Sequence, residues 1–310
     1  MRPFLLLLAV ASGLCFGCGD EDPAREPVTL ALDFQPNPVH AGIYAASRKN
    51  LDERNGIDLR VRLPSSSTDS LKLLAADRAE VAVVDIHDLG LARERGSDLV
   101  GVGALVQRPL AAVIASRGVR RPRQLEGKRV GVTGLPSDAA VLRAVVETDG
   151  GEPDRVRSVT IGFSAVPSLI AGRVDAVVSF WNVEGVTLRE RGVDTREFRV
   201  DEYGAPRYPE LVLVTKSATL RERPELIDDV LATLADGTRA ALADRAATVA
   251  ELVRVSGADE PLVRAQLRAV APALRPPIRL DRDVLEAWAR FDVRFGILER
   301  QPNVDSTFPR

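Results

Sequence analysis

The distribution of apolar and polar residues divides most of the chain into short β-type runs and longer runs with helical spacing. In its first part, strands are predicted at 28–32, 57–63 and 81–84, and helices at 40–54, 70–77 and 86–95. Strands that alternate with helices are typical of parallel βαβ units. The pattern therefore predicts an α/β fold.

The same order of elements repeats further along the chain. The second set of predictions comprises strands at 129–132, 156–161 and 174–179, helices at 137–148 and 166–171, and a mostly helical tail after residue 224. The chain thus contains two α/β units of similar size.

Two apolar segments, 110–116 and 211–217, bracket the second unit. Both suit β-structure, and we predict that they form the paired, crossing strands of a hinge. A chain that leaves one domain and later returns to it creates a cleft that can close on a ligand. We assign domain I to residues 28–113 and 215–310, and domain II to residues 114–214.

The N-terminal segment has the layout of a secretory signal peptide. Arg2 is followed by an uninterrupted apolar run at 4–10, much shorter than the roughly 20 residues that span a bilayer. A buried N-terminal helix is the less common alternative. We predict a signal peptide at 1–18, and a charged, proline-containing tether at 19–27 that holds the folded body off a membrane.

Both cysteines of the chain, Cys15 and Cys18, fall at the end of this segment. Residues 14–18 resemble a bacterial lipobox, in which a signal peptidase cuts before a cysteine that carries lipid. Cys18 is the predicted lipid attachment site because Gly17 precedes it, although Leu14 lies one place further upstream than the pattern expects. The mature chain would then have no other thiol for catalysis or metal binding.

Composition excludes several classes of function. The formal net charge is −2, and the positive charge, almost all of it from arginine, is scattered along the chain, whereas a nucleic-acid binder concentrates it. The two histidines, His40 and His87, do not have the HxH or HxxxH spacing of a metal site. We predict no catalytic residue, metal, cofactor or nucleic-acid partner, and a monomeric chain.

Several segments resemble the hydroxymethylpyrimidine-binding proteins of thiamine-precursor importers, a family shared with the yeast pyrimidine synthase. The opening signature LDFQPNPVHAGIYA supplies Asp33, Phe34, Pro36, Asn37, His40 and Gly42, with Phe34 where the family usually has tryptophan. The resemblance continues, in the expected order, through residues 125–141, 171–185, 203–214 and 291–308.

This resemblance implies a type II periplasmic binding protein with an interdomain cleft. It implies an exported lipoprotein on the outer face of the bacterial cytoplasmic membrane that passes an aminopyrimidine to the permease subunits of an ABC importer. Receptors of the sulfonate, nitrate and riboflavin type share much of this framework and stay open as alternatives. An enzyme resembling the pyrimidine synthase is less compatible with the export signal and the cysteine-free body. A self-contained extracytoplasmic sensor would be expected to carry a second membrane segment or a signalling module, and the sequence predicts neither.

The candidate ligand-binding residues follow predicted strands, where loops of an open α/β sheet bind ligands. An aminopyrimidine needs an aromatic face, a carboxylate for its amino group, and a polar group for its ring nitrogens. These groups are expected from Asp33, Phe34, Asn37, His40, Asp85, Ser137, Trp181, Asn182, Glu184 and Tyr208.

Each candidate also has a structural interpretation. Phe34 and Trp181 suit a hydrophobic core equally well, and Glu184 could be an exposed loop residue. Asp33 and Ser137 could cap the helices that follow them. His40 stands at a helix start, where it contacts ligand or caps the helix.

Overall fold

We describe the protein from a computed structural model, which covers residues 25–66 and 68–310. The predicted signal peptide, Cys18 and most of the tether lie outside the described residues. The tether ends earlier than predicted, because strand β1, Glu26–Ala31, already pairs with residue 57 through Glu26. Pro27 is tolerated in this strand because the neighbour on its other side begins to pair only at Leu30.

The first sheet has five strands in the order β2-β1-β3-β10-β4. Besides β1 these are β2 (Ile57–Arg62), β3 (Val81–Asp85), β4 (Leu99–Val106) and β10 (Leu211–Lys216). Strands β2, β1 and β3 are parallel, whereas β10 runs antiparallel to both of its neighbours. Strands β3, β4 and β10 are almost wholly buried, as expected for strands covered on both faces.

The second sheet also has five strands, in the order β7-β6-β8-β5-β9. They are β5 (Ala111–Ser116), β6 (Arg129–Val132), β7 (Arg157–Thr160), β8 (Ala176–Phe180) and β9 (Thr195–Arg199). Strand β5 is antiparallel to β8 and β9, and the other pairings are parallel. The predicted α/β class and two-unit organisation are confirmed.

Helices cover the faces of both sheets. They are α1 (Ala41–Arg48), α2 (Leu51–Arg54), α3 (Asp69–Ala75), α4 (Ile86–Glu94), α5 (Pro136–Thr148), α6 (Ala165–Ile170), α7 (Val186–Glu190), α8 (Ser217–Glu222), α9 (Pro224–Ala243), α10 (Arg245–Ser256), α11 (Glu260–Val270), α12 (Arg282–Arg294) and α13 (Val304–Thr307). A 3-10 turn, Pro38–His40, precedes α1, and a π-turn, Trp181–Gly185, follows β8. No helix in the two described ranges is both long enough and apolar enough to cross a membrane.

Helices α1 and α9 pack with their backbones in close approach. A Cβ atom added at Gly237 would lie 2.1 Å from the carbonyl oxygen of Gly42, and one added at Gly42 would lie 2.3 Å from Oγ1 of Thr238. The glycine of the opening signature is therefore a packing requirement. This contact fixes the C-terminal helices on the first sheet.

The chain passes between the sheets twice, at residues 107–110 and again between β9 and β10. The prediction that segments 110–116 and 211–217 pair as hinge strands is wrong, because β5 pairs within the second sheet and β10 within the first. An apolar β-type run suits a central strand as well as a crossing strand. The domain boundaries placed after residues 113 and 214 consequently fall inside β5 and β10.

Candidate ligand cleft between the two sheets

A cleft lies between the two sheets. The first sheet and its helices contribute Asp33, Phe34, Asn37, Val39, Ser70, Leu71, Val84, Asp85 and Asp88. The second contributes Ala111, Thr133, Leu135, Ser137, Asp138, Val141, Gly162, Phe163, Ala165, Val178, Ser179, Phe180, Val183 and Glu184. Many of these residues stand at or just after the carboxyl ends of parallel strands, where such sheets bind ligands.

Aromatic rings from both sides of the cleft meet. The ring of Phe34, just after β1, lies edge-on to the ring of Phe163, just before α6, with centroids 4.5 Å apart and planes at 80°. Phe180, at the end of β8, adds a third ring to the lining. The two halves of the molecule are therefore in contact across the cleft, and a flat ring entering it would meet an apolar aromatic surface.

Asp33 is held in place from behind by His40. Nε2 of His40 lies 2.8 Å from Oδ1 of Asp33, and Nδ1 of His40 accepts a hydrogen bond of 3.3 Å from the backbone N–H of Asn37. Because Nδ1 accepts, Nε2 carries the proton and donates it to the carboxylate. Asn37 caps the same turn through a 3.0 Å bond from the N–H of Val39 to its Oδ1. The imidazole is fully buried and does not line the cleft.

Glu184 projects from the π-turn into the cleft. Its carboxyl group accepts a hydrogen bond of 3.2 Å from the backbone N–H of Phe180. Burial raises the pKa of Glu184 to about 7, because the ionised form is poorly solvated there. A carboxyl group in this state accepts a hydrogen bond when ionised and donates one when protonated.

Asp138 occupies the first turn of α5 on the other wall. Its Oδ2 accepts hydrogen bonds from Oγ1 of Thr133 at 2.9 Å and from the backbone N–H groups of Gly134 and Leu135 at 2.8 and 3.0 Å. Burial nevertheless raises the pKa of Asp138 to about 6. Its carboxylate occupies the loop in which free N–H groups would otherwise attract an anion.

Two more carboxyl groups come from the start of α4. Asp85 caps this helix by accepting a 2.8 Å hydrogen bond from the N–H of His87, and burial raises the pKa of Asp85. Burial, followed by repulsion from Asp85, raises the pKa of Asp88 well above its usual range. The nearby hydroxyl of Ser137, on the opposite half, partly offsets this rise in the pKa of Asp88.

In the described residues, the charged side chains that line the cleft are all acidic. Its lining includes five carboxyl groups, from Asp33, Asp85, Asp88, Asp138 and Glu184, and within residues 25–66 and 68–310 no lysine, arginine or histidine lines it. The lining therefore favours a ligand that donates hydrogen bonds or carries positive charge, and it repels anions.

A buried polar network lies directly beneath Asp85. Nδ1 of His87 lies 2.7 Å from Oδ1 of Asp292, and the His87 ring stacks edge-on against Tyr208 at 4.7 Å. Burial opposes the charged imidazolium, but Asp292 and the other nearby carboxylates raise the pKa of His87 to about 10. Glu210 accepts from the N–H groups of residues 110 and 111, and burial raises the pKa of Glu210 to about 8.

Asp85, His87 and Glu210 place possible ligand atoms within 4.8 Å of one another. All three side chains already have partners, since Asp85 caps α4, His87 pairs with Asp292, and Glu210 accepts from two backbone N–H groups. We therefore interpret this group as a structural support for the floor of the cleft.

The structure brings together six of the predicted site residues in the cleft lining: Asp33, Phe34, Asn37, Asp85, Ser137 and Glu184. The other four, His40, Trp181, Asn182 and Tyr208, do not line it. Asn182 and Tyr208 are fully buried, and His40 acts through Asp33.

Trp181 corrects the expectation of an indole stacking surface. Its Nε1–H donates to the carbonyl oxygen of Pro109 at 3.1 Å, and the guanidinium of Arg199 lies 4.3 Å from its ring centroid. Consecutive residues at a strand end point to opposite sides, so Phe180 enters the cleft and Trp181 turns away from it.

Sequence reasoning missed Asp88, Asp138, Thr133 and Phe163 as cleft residues, and it placed Phe180 at the strand end without giving it the stacking role. The two aspartates lie in first turns of helices, where acidic residues are common for reasons of capping and helix dipole. A usable signal was the placement of both turns directly after buried strands. Phe163 follows an exposed edge strand, so no burial pattern singled it out.

The fold and the family follow from comparison with known proteins. The structure resembles the periplasmic aliphatic sulphonate binding protein of Escherichia coli, with a TM-score of 0.73 over 91% of this chain and 92% of that one, at 15% identity. The chain thus has the fold of periplasmic binding proteins, as predicted. Residues 37–247 match the NMT1/THI5-like family, and the chain belongs to this family.

Two relatives with known names illustrate the range of this family. The chain is 33% identical over 210 residues to the formylaminopyrimidine-binding protein of Halalkalibacterium halodurans, covering 67% of this chain and 64%, a little under two thirds, of that relative. It is 23% identical over 235 residues to a 4-amino-5-hydroxymethyl-2-methylpyrimidine phosphate synthase of Saccharomyces cerevisiae, covering 71% and 68%. The family predicted from the motifs is confirmed.

Proposed function

We propose that this chain is a solute-binding protein that takes an aminopyrimidine into the cleft and delivers it to the permease of an ABC importer. The observation that carries the proposal is the lining itself, with three phenylalanine rings, five carboxyl groups and, in the described residues, no cationic side chain. The 33% identical relative named for binding a formylaminopyrimidine supports the same ligand class.

An aminopyrimidine matches this lining in shape and in hydrogen bonding. Its flat ring suits the space beside Phe34, Phe163 and Phe180. Its exocyclic amino group and adjacent ring nitrogen form an amidine edge, whose amino group donates a hydrogen bond that an ionised carboxyl group can accept. Glu184 and Asp33 are the proposed partners of this edge, with Asn37 and Ser137 available for the remaining polar atoms.

The anionic alternatives are disfavoured by the same residues. A sulfonate or nitrate requires cationic side chains or free N–H groups, such as those at helix N-termini. In this cleft the N-terminus of α4 is capped by Asp85, and the loop before α5 donates its N–H groups to Asp138. An anion would therefore meet carboxylates at both places.

We propose no catalytic role for the cleft. The named yeast relative is a synthase. The described lining contains neither lysine nor cysteine. A receptor needs only binding and closure, and both are served by a cleft whose walls come from two separately built sheets.

Export and lipid anchoring through Cys18 complete the proposal. Because β1 begins at Glu26, seven residues separate it from Cys18. Fully extended, the eight Cα–Cα steps from Cys18 to Glu26 reach about 26–29 Å, which would keep the body close to the membrane and to a permease.

The test is calorimetric titration with hydroxymethyl- and formylaminopyrimidines, thiamine, riboflavin, taurine and an alkanesulfonate. We expect saturable binding of an aminopyrimidine, reduced by at least about tenfold in Glu184→Ala, since a buried donor then loses its acceptor. Glu190→Ala is the matched control, because Glu190 is exposed and lies outside the cleft. Binding of the sulfonate alone, or of none of these compounds, would refute the proposed ligand.

A further inference from the structure

A second pocket lies beside the two connections that join the sheets. It shares no lining residue with the ligand cleft. Its walls come from both sheets and from the connections themselves. Ala104 belongs to β4, Arg199 to β9, and Arg108 and Arg207 to the two connections.

Arginine dominates this second pocket. Five of its fourteen lining residues are arginines, namely Arg108, Arg199, Arg207, Arg275 and Arg279. Along the whole chain the frequency is much lower, because 42 Lys+Arg less four lysines leaves 38 arginines in 310 residues. The enrichment is about threefold, so an arginine-rich composition alone does not account for it.

Two of the five arginines already have carboxylate partners. Nε of Arg108 lies 3.0 Å from Oδ2 of Asp201, and Nη2 of Arg199 lies 2.8 Å from Oε2 of Glu197. Arg207, Arg275 and Arg279 form no ion pair with any residue in the described ranges.

The one carboxylate in the lining does not neutralise these three. Asp281 caps α12, and its Oδ1 accepts hydrogen bonds from the N–H groups of residues 283 and 284 at 3.0 and 3.2 Å. The pocket therefore holds an excess of positive charge in a concave site, which concentrates anions. Guanidinium groups offer paired N–H donors that match the oxygens of a phosphate-type anion.

We propose that this second pocket binds a small multivalent oxyanion of the phosphate class, separately from the ligand cleft. Arg207, Arg275 and Arg279 supply the charge, and Arg108 and Arg199 line the opposite side beside Trp181. Because the walls come from both sheets, a bound anion bridges the two halves at their connections.

The proposal is tested by titrating the purified full chain with pyrophosphate at constant ionic strength. Binding is followed by calorimetry and by the rise in melting temperature. We expect saturable binding by the wild-type protein. The double variant Arg207→Ala/Arg279→Ala should bind at least about tenfold more weakly, since two charge-assisted contacts are lost.

The control is Arg191→Ala/Arg300→Ala, which removes the same charge from exposed positions outside both pockets. It should bind pyrophosphate like the wild type. Unchanged affinity for the aminopyrimidine, or an unchanged far-ultraviolet circular dichroism spectrum, would show that the Arg207/Arg279 variant is folded.

Three results would overturn the proposal. They are no saturable binding of pyrophosphate by the wild type, equal binding by the Arg207/Arg279 variant, and an equal loss in the Arg191/Arg300 control. Attachment to phosphatidylglycerol vesicles without binding of pyrophosphate would also overturn it, because the arginines would then serve a membrane surface.

Discussion

His40 donates from Nε2 to Asp33 at 2.8 Å while its Nδ1 accepts from the backbone of Asn37. His40 lines no part of the cleft, but its hydrogen bond fixes the position of the Asp33 carboxylate, which does line it. The buried imidazole thus connects the turn that follows strand β1 to the lining of the cleft.

Replacing His40 should therefore weaken ligand binding, although His40 itself does not line the cleft. In His40→Ala, Asp33 loses its donor, and we expect aminopyrimidine affinity to fall by about 1–2 kcal/mol. Calorimetric titration measures this loss, and His40→Gln, which can still donate to Asp33, should recover part of it. Wild-type affinity in His40→Ala would show that the bond to Asp33 does not position the carboxylate for binding.

The phenylalanine rings and the tryptophan should behave differently. Phe34→Ala removes one ring of the aromatic pair across the cleft, and we expect affinity to fall by about tenfold or more. Trp181→Phe alters a ring turned away from the cleft, so affinity should stay within about threefold. Calorimetric titration of both variants with the aminopyrimidine measures these changes. A larger loss of affinity in Trp181→Phe than in Phe34→Ala would indicate that the indole, and not the phenyl ring, stacks on the ligand.

Ligand affinity should depend on pH through Glu184. Its pKa is about 7 in the free protein, so the fraction that is ionised and able to accept from an amino group rises as pH increases through this value. We expect affinity to increase by about tenfold between pH about 6 and 8. Glu184→Gln should lose most of this increase, and an unchanged pH dependence in this variant would contradict the role of Glu184.

Stability of the ligand-free protein should decline as pH rises. The pKa values of Glu184 and Asp138 are raised to about 7 and about 6, so folding favours their protonated forms, and this contribution is lost as pH rises through those values. The pKa of His87 is raised to about 10, so its contribution is complete below its ordinary pKa and is lost on approaching 10.

Melting temperatures across this range provide the measurement. We expect a fall of several degrees from pH about 5 to 9, and a smaller fall in Glu184→Gln. A melting temperature that increases steadily over the same interval would contradict the shifted pKa values.

Close packing of α1 on α9 should make Gly237→Ala strongly destabilising. The new Cβ would lie 2.1 Å from the carbonyl oxygen of Gly42, so the two helices must separate. We expect a loss of about 3 kcal/mol or more in the free energy of unfolding, measured by denaturant titration. Gly257→Ala tests backbone strain alone, because the φ of Gly257 is +67° but nothing lies within 4 Å of the added Cβ atom. A smaller loss is expected there.

The sequence predicted the parts of the fold that depend on local periodicity. Most strands and helices lie where apolar spacing placed them, and Asp33, Asp85 and Glu184 were found because each follows a buried strand. Strand pairing was not predictable in this way. Nothing in an apolar run states which sheet it joins, and so β5 and β10 were wrongly paired with each other.

The remaining errors at the site have a geometric cause. Whether Phe180 or Trp181 enters the cleft depends on the register at the end of β8, which composition does not reveal. Asp88 and Asp138 resemble ordinary residues of a helix first turn. Only the approach of α4 to α5 across the cleft gives them a shared environment, in which burial raises the pKa of each.

The placement of β10 has a consequence for the order in which the molecule can be assembled. Among the described strands β4 pairs only with β10, and β10 separates it from β3. The first sheet is therefore incomplete until residues 211–216 have emerged, after every strand of the second sheet has been made. Such pairing between distant parts of a chain is slow to form. A nascent chain in this condition lacks a complete first sheet during most of its synthesis, which would suit the export proposed above.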